Sequence, residues 1–87
     1  MNMQELTIGD TNRAGTLQIM DTSGLDTAGT MRVTVRDMTY SGQDQTEAMR
    51  RLARRAYPYP IRSTRVVRRF TADGCPYVTF AVAQCPN

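Results

Sequence analysis

Two different spacings of hydrophobic residues occur along the chain, and each predicts a different kind of element. In the first half, apolar side chains recur at every second position, which is typical of strands with one face on a core. The predicted strands cover residues 4–8, 16–20 and 30–40. The third is the clearest, because Met31, Val33 and Val35 alternate with polar neighbours. The Asp, Thr, Ser and Gly residues of 21–29 predict a loop before it.

The spacing changes to that of a helix in the middle of the chain. Between Asp44 and a Tyr-Pro-Tyr-Pro stop at 57–60, apolar and basic residues separate onto opposite helix faces. The apolar face consists of Ala48, Met49, Leu52, Ala53 and Ala56, and the basic face of Arg50, Arg51, Arg54 and Arg55. Asp44 and Glu47 have the spacing of a capping box, with Ser41 as an alternative cap. We therefore expect one amphipathic helix.

Two further strands are predicted after the helix. They cover residues 64–71 and 77–84. Asp73-Gly74 between them is a strong hairpin-turn signal. The core-facing residues of the last strand are Val78, Phe80 and Val82. The strand before it does not alternate cleanly between Arg65 and Phe70, so we expect either a β-bulge or an Arg68 whose stem is buried at the margin of the core.

These elements predict a small two-layer α+β domain. The order β-β-β-α-β-β indicates an antiparallel sheet of four to five strands with one amphipathic helix packed on it. Residues 1–87 are expected to form a single domain, because a chain of this length supports one core, with residues 1–15 as a loosely attached edge strand. Val, Ile, Leu and Phe together account for 15 of the 87 residues, which predicts a small core and marginal stability.

Charge is strongly segregated along the chain. Residues 1–47 contain three arginines against seven acids, a formal charge of −4, whereas 48–87 contain eight arginines against one acid, a formal charge of +7. The absence of lysine fits either a GC-rich coding bias or selection for the bidentate guanidinium. Because core residues such as Leu52 and Val66 are interleaved with the arginines, the basic half is folded structure rather than a charged tail.

The basic helix face and the strand that follows it form the candidate binding site. Arginines on two neighbouring elements form a basic patch that can neutralise several phosphates, and aromatic side chains beside such a patch can stack on bases. The candidate partner-binding residues are Arg50, Arg51, Arg54, Arg55, Arg62, Arg65, Arg69, Tyr57 and Tyr59. The competing interpretation is a solvated face, supported by a Glu47–Arg51 pair or by the acidic half. On that interpretation, Tyr57 and Tyr59 only terminate the helix and pack against it.

Other candidate chemistry is sparse. The chain has no histidine, and Cys75 and Cys85 bracket a strand about 33 Å long, too far apart for a disulfide and without a zinc-binding spacing. The Asp26–Gly29 stretch is similar to the DTAG of GTPases, but no phosphate-binding loop precedes it. We expect no catalysis, no metal and no cofactor. No apolar run is long enough for a membrane span, so a cytoplasmic protein is expected.

Two classes of function remain open. The first is a non-enzymatic binding module that uses the arginine-rich helix and strand to dock on nucleic acid or a nucleoprotein. The alternative is a phage or mobile-element protein that binds and inhibits another protein, in the manner of small anti-CRISPR proteins, or assembles with an acidic protein surface. Exposed sheet edges are also compatible with a homodimer. The sequence does not distinguish DNA from RNA or protein as the partner.

Overall fold

A computed structural model describes residues 8–85 as one four-stranded antiparallel sheet with a helix packed on one face. The elements are β1 (Leu17–Thr22), β2 (Thr30–Asp37), α1 (Thr46–Arg55), β3 (Ile61–Ala72) and β4 (Cys75–Gln84). The strand order is β1-β2-β4-β3, so the β4 strand is inserted between β2 and β3. The predicted α+β class is confirmed. The predicted strand at 4–8 lies outside the described residues except for Ile8, which is in a turn.

The core lies between α1 and one face of the sheet. In β2, the alternation places Met31, Val33 and Val35 on this face, and the register pairs Val33 with Phe80 of β4. The α1 and post-helical residues that complete the core are Met49, Leu52, Ala53, Ala56 and Tyr57. Alanines at the contact let the helix approach the strands closely, because they carry no long side chain. The predicted apolar helix face is therefore the buried face, with Ala48 partly buried at its edge.

The start of α1 differs from the predicted capping box. Asp44 accepts hydrogen bonds from the Thr46 backbone N–H at 2.9 Å and the Thr46 hydroxyl at 2.5 Å, while Gln45 occupies the N-cap without a side-chain bond. Glu47 forms an ion pair with Arg50 at 3.2 Å rather than with Arg51 or the cap. Asp44 lies one residue too early for a capping box and instead closes a local turn. The Tyr-Pro-Tyr-Pro segment follows the end of the helix, as predicted.

Strand β2 ends earlier than predicted, at Asp37 rather than at Tyr40. The buried Asp37 carboxylate accepts hydrogen bonds from the Thr39 backbone N–H at 2.8 Å and from its hydroxyl at 2.6 Å. The following Tyr40 has a positive φ of 56°, which is incompatible with an extended strand. This local turn terminates the strand where the alternation also breaks, because Asp37 occupies the core-facing position that follows Val35.

A β-bulge in β3 explains its irregular pattern. Val66 pairs with Phe80, but the next pair is Arg68 with Thr79, so Val67 is the additional residue. The bulge reverses the alternation, and Phe70 consequently pairs with Tyr77 on the face opposite α1. Arg68 is exposed on that opposite face rather than at the margin of the core. The bulge alternative is therefore the correct one.

Candidate functional site

Three arginines project from the outer face of α1. Arg51, Arg54 and Arg55 are exposed, and we call them the helix arginine surface. Arg51 and Arg55 are one turn apart, a rise of about 6 Å along the helix. Between described residues the single ion pair is Glu47–Arg50, so none of the three has a described carboxylate at ion-pair distance. Their charges are therefore directed to solvent or to a binding partner.

Arg50 was predicted to belong to the same surface, but it bridges α1 and β3. Its side chain is 25% exposed, and its guanidinium carbon lies 5.5 Å from the centroid of the Phe80 ring. Arg50 Nη1 donates to the backbone carbonyl of Thr64, and Nε donates to Glu47 at 3.2 Å. The structure thus gives Arg50 a packing role and leaves fewer of its donors for a partner.

The predicted arginines of β3 are divided between the two faces of the sheet. Arg69 Nη1 donates to the Thr46 hydroxyl at 3.0 Å, which places Arg69 on the α1 side. Arg65 pairs with Ala81 and so lies on the opposite face. Arg62 is exposed at a second irregularity of this edge strand. Only Arg69 is therefore directly joined to the helix.

The two tyrosines after the helix have different environments. Tyr57 is 5% exposed, and its hydroxyl donates to the backbone carbonyl of Gly29. Burial raises the pKa of Tyr57 above its ordinary value. Tyr59 is 44% exposed, with its ring 5.9 Å from that of Tyr57 in an edge-to-face arrangement. Tyr57 therefore packs, whereas Tyr59 can contact a partner.

Several acids of the N-terminal half stabilise turns in their own neighbourhood. Asp26 accepts hydrogen bonds from the Ala28 and Thr30 backbone N–H groups, both at 2.9 Å. Asp37 is bonded to Thr39 in the same way, and the hydrogen bonds from Thr46 lower the pKa of Asp44. These three carboxylates accept hydrogen bonds within local loops, although Asp44 also lines a pocket with Glu47, Arg51 and Arg69 at the start of α1.

The face of the sheet opposite α1 carries arginines that were not predicted as site residues. They are Arg32 and Arg36 of β2 and Arg68 of β3, and they accompany Arg65. Arg32, Thr34, Val67, Arg68 and Thr79 line a groove there, with Asp21 and Ser23 at its β1 end. We call this the sheet groove. The alternation of Arg32, Thr34 and Arg36 with buried residues is the signal that could have identified it.

The described part of the chain, 8–85, contains no group of three or more cysteine or acidic side chains placed to hold a metal ion. No helix among these residues is long and apolar enough to cross a membrane. Comparisons of the chain with protein-family models, curated proteins and solved structures find no match. Candidate functions therefore rest on the arginine surfaces themselves.

Proposed function

We propose that the protein is a non-enzymatic, cytoplasmic binding module that docks on nucleic acid, free or within a nucleoprotein, through the helix arginine surface. The observation that carries this proposal is the exposure of Arg51, Arg54 and Arg55 on one helix face with no described carboxylate at ion-pair distance. Arg62 and Tyr59, both exposed, extend the contact beyond the end of the helix.

Phosphates match this surface in charge and in hydrogen-bonding geometry. A guanidinium presents paired N–H donors that fit the oxygens of a phosphate, and it remains charged at every physiological pH. Contacts with the backbone release counterions and give affinity, but they carry little sequence information. We therefore expect salt-sensitive binding with weak sequence preference.

The proposal is tested by fluorescence anisotropy of labelled duplex and single-stranded DNA and RNA. The variant Arg51→Gln/Arg55→Gln removes two charges from the surface, and Arg13→Glu changes the net charge equally at an exposed position before β1. Three arginine contacts predict a loss of affinity of about 40-fold between 50 and 200 mM salt. The helix variant should weaken binding at least about tenfold at low salt, and Arg13→Glu much less.

Absence of binding at about 50 mM salt would overturn the proposal. An equal loss of affinity in Arg13→Glu and in the helix variant would also contradict it, because net charge rather than the surface would then govern binding. In either case the alternative, a protein that binds and inhibits another protein, becomes the leading hypothesis, and it predicts a stoichiometric complex that resists moderate salt.

A further inference from the structure

The sheet groove has arginines on both sides of a floor of small residues. Arg32 and Arg68 line the groove on its two sides, and Asp21 is the one acid in the lining. Arg65 of β3 lies on the same face just beyond the lining, where it and Arg32 of β2 flank Ala81 of β4 in the register. Since neighbouring strands are about 4.8 Å apart, the two arginine-bearing backbones are separated by about 10 Å. No element among residues 8–85 packs over this face, because α1 lies on the other. A chain of negative charge can therefore lie between the two arginines.

The floor of the groove contributes a hydroxyl donor. The side-chain oxygens of Thr34 and Thr79 are 2.7 Å apart, so one hydroxyl donates to the other. The hydroxyl that accepts keeps its own hydrogen for a ligand above the sheet. This arrangement places a neutral donor between flanking cations, which suits a phosphate oxygen.

Arg68 is held in position at the same groove by aromatic packing. Its guanidinium carbon lies 4.4 Å from the centroid of the Phe70 ring, and Phe70 stacks on Tyr77 with centroids 4.8 Å apart and planes at 17°. A cation–π contact uses the face of the guanidinium and leaves N–H donors at its edge for an anion. The Arg68 charge is therefore ordered before a ligand binds.

An exposed aromatic ring lies toward the Tyr77 end of this face. Tyr40 is 77% exposed, and its hydroxyl accepts a hydrogen bond at 3.4 Å from the Cys75 thiol, two residues before Tyr77 in the chain. The interaction with Cys75 raises the pKa of Tyr40, and a tyrosine hydroxyl is neutral at physiological pH even at its ordinary pKa of about 10. A neutral, exposed ring beside a basic groove can stack on a nucleic-acid base.

We propose that the sheet groove binds the sugar–phosphate backbone of single-stranded nucleic acid, with Arg32, Arg65 and Arg68 on phosphates and Tyr40 against a base. The inference rests on the proposed nucleic-acid docking function, and it assigns the binding of single strands to the sheet groove. A second copy of the chain does not suit this face, because it would bring like charges together. A duplex suits this face less, because its bases are paired and stacked inside the helix and cannot stack on Tyr40.

The test compares an oligothymidine of about 12 nucleotides with a duplex of the same length, by anisotropy at low salt. The variant Arg65→Gln/Arg68→Gln should lower single-strand affinity about tenfold or more, reduce its salt slope by about 1.4, and change duplex affinity less than about threefold. Tyr40→Ala should lower single-strand affinity at least about fivefold. Arg13→Glu makes the same change in net charge at an exposed position outside both surfaces and is the matched control. Arg51→Gln/Arg55→Gln, with the same charge change, is the comparison variant that reports on the helix arginine surface.

Equal losses for single strand and duplex in the groove variant would overturn the inference. If Arg51→Gln/Arg55→Gln removes duplex and single-strand binding while the groove variant leaves both intact, the helix proposal stands and the groove proposal is wrong. If the wild-type protein binds neither nucleic acid, both proposals are wrong. Circular dichroism melts of every variant distinguish a loss of binding from a loss of folding. The single variant Arg65→Gln keeps the Arg68–Phe70 contact and so tests the groove without disturbing that packing.

Discussion

On the α1 side of the sheet, Val33, Phe80 and Val82 are completely buried, whereas on the other side Arg32 is exposed and Thr34 is half-buried. Both faces are made by the same strands, because successive side chains of a strand point in opposite directions. One face obtains its stability from the helix that covers it. The other presents charged side chains to solvent. One face of the sheet therefore stabilises the fold, and the opposite face is available for the proposed binding.

The uncovered face is nevertheless compact at its centre. Tyr77, Thr79 and Ala81 of β4 are buried although no described element lies over them. Phe70 stacks on Tyr77. Long side chains of β3, such as Arg65 and Arg68, can cover the smaller Thr79 and Ala81 with their aliphatic stems while the guanidinium groups stay in water. A basic groove can therefore be built on a sheet without a second hydrophobic core.

The largest expected effect contrasts adjacent residues of β4 that face opposite sides. Phe80→Ala removes a fully buried ring and should cost about 3–5 kcal/mol of the free energy of unfolding, enough to unfold a large fraction of a small domain. Thr79→Ala on the open face should cost about 1 kcal/mol, mainly the hydrogen bond to Thr34. Urea denaturation followed by circular dichroism measures both. Equal costs would contradict the division between the two faces.

The next effect concerns the attachment of the helix end to the sheet. Gly29 has φ of +77°, and a Cβ there would lie 2.8 Å from Gln84 Oε1 and 3.2 Å from Gln84 Cβ. The Gly29 carbonyl also accepts the Tyr57 hydroxyl. Gly29→Ala should therefore lower the free energy of unfolding by about 1–3 kcal/mol. Gly24→Ala, at an open position, is the control and should change it by less than about 0.5 kcal/mol.

A smaller effect distinguishes two consecutive arginines of α1. Arg50→Ala loses the contacts with Phe80 and Thr64 and should lower stability by about 1 kcal/mol, while Arg51→Ala should stay within about 0.5 kcal/mol of wild type. Arg51→Ala should be the more damaging to nucleic-acid affinity. Thermal melts and anisotropy on the two variants test this exchange of roles. A stability loss in Arg51→Ala as large as in Arg50→Ala would show that the outer face is structural.

The smallest effect is a dependence of stability on pH at the start of α1. Hydrogen bonds from Thr46 hold the pKa of Asp44 below its ordinary value, so the folded state favours the carboxylate. The contribution is present at neutral pH and is lost as the pH falls below about 4, through the lowered pKa. Asp44→Asn should flatten this part of the profile of melting temperature against pH. A wild-type profile in that variant would exclude Asp44 as the source.

Local sequence patterns predict most of the elements but not their spatial arrangement. The alternation of Met31, Val33 and Val35 and the helical spacing of Met49 and Leu52 are local, and both faces follow from them. The insertion of β4 between β2 and β3 depends on pairings between distant residues, which no local pattern encodes. Strand β3 also contains a bulge at Val67 that reverses its alternation.

The candidate site was predictable in composition more than in geometry. The exposure of Arg51, Arg54 and Arg55 on one helix face follows from their spacing in the sequence. The capture of Arg50 by Phe80 and the Thr64 carbonyl depends on how closely the helix approaches β3, which the sequence does not express. The sheet groove could not be predicted from the sequence, because its identification depends on knowing that no described element packs over one face of the sheet.

The central claim is that the helix arginine surface binds phosphates. The most direct measurement is the slope of the logarithm of duplex affinity against the logarithm of salt concentration, for wild type and for Arg51→Gln/Arg55→Gln. The loss of two phosphate contacts predicts a slope shallower by about 1.8. An unchanged slope, with the variant still folded, would contradict the claim that these arginines contact nucleic acid.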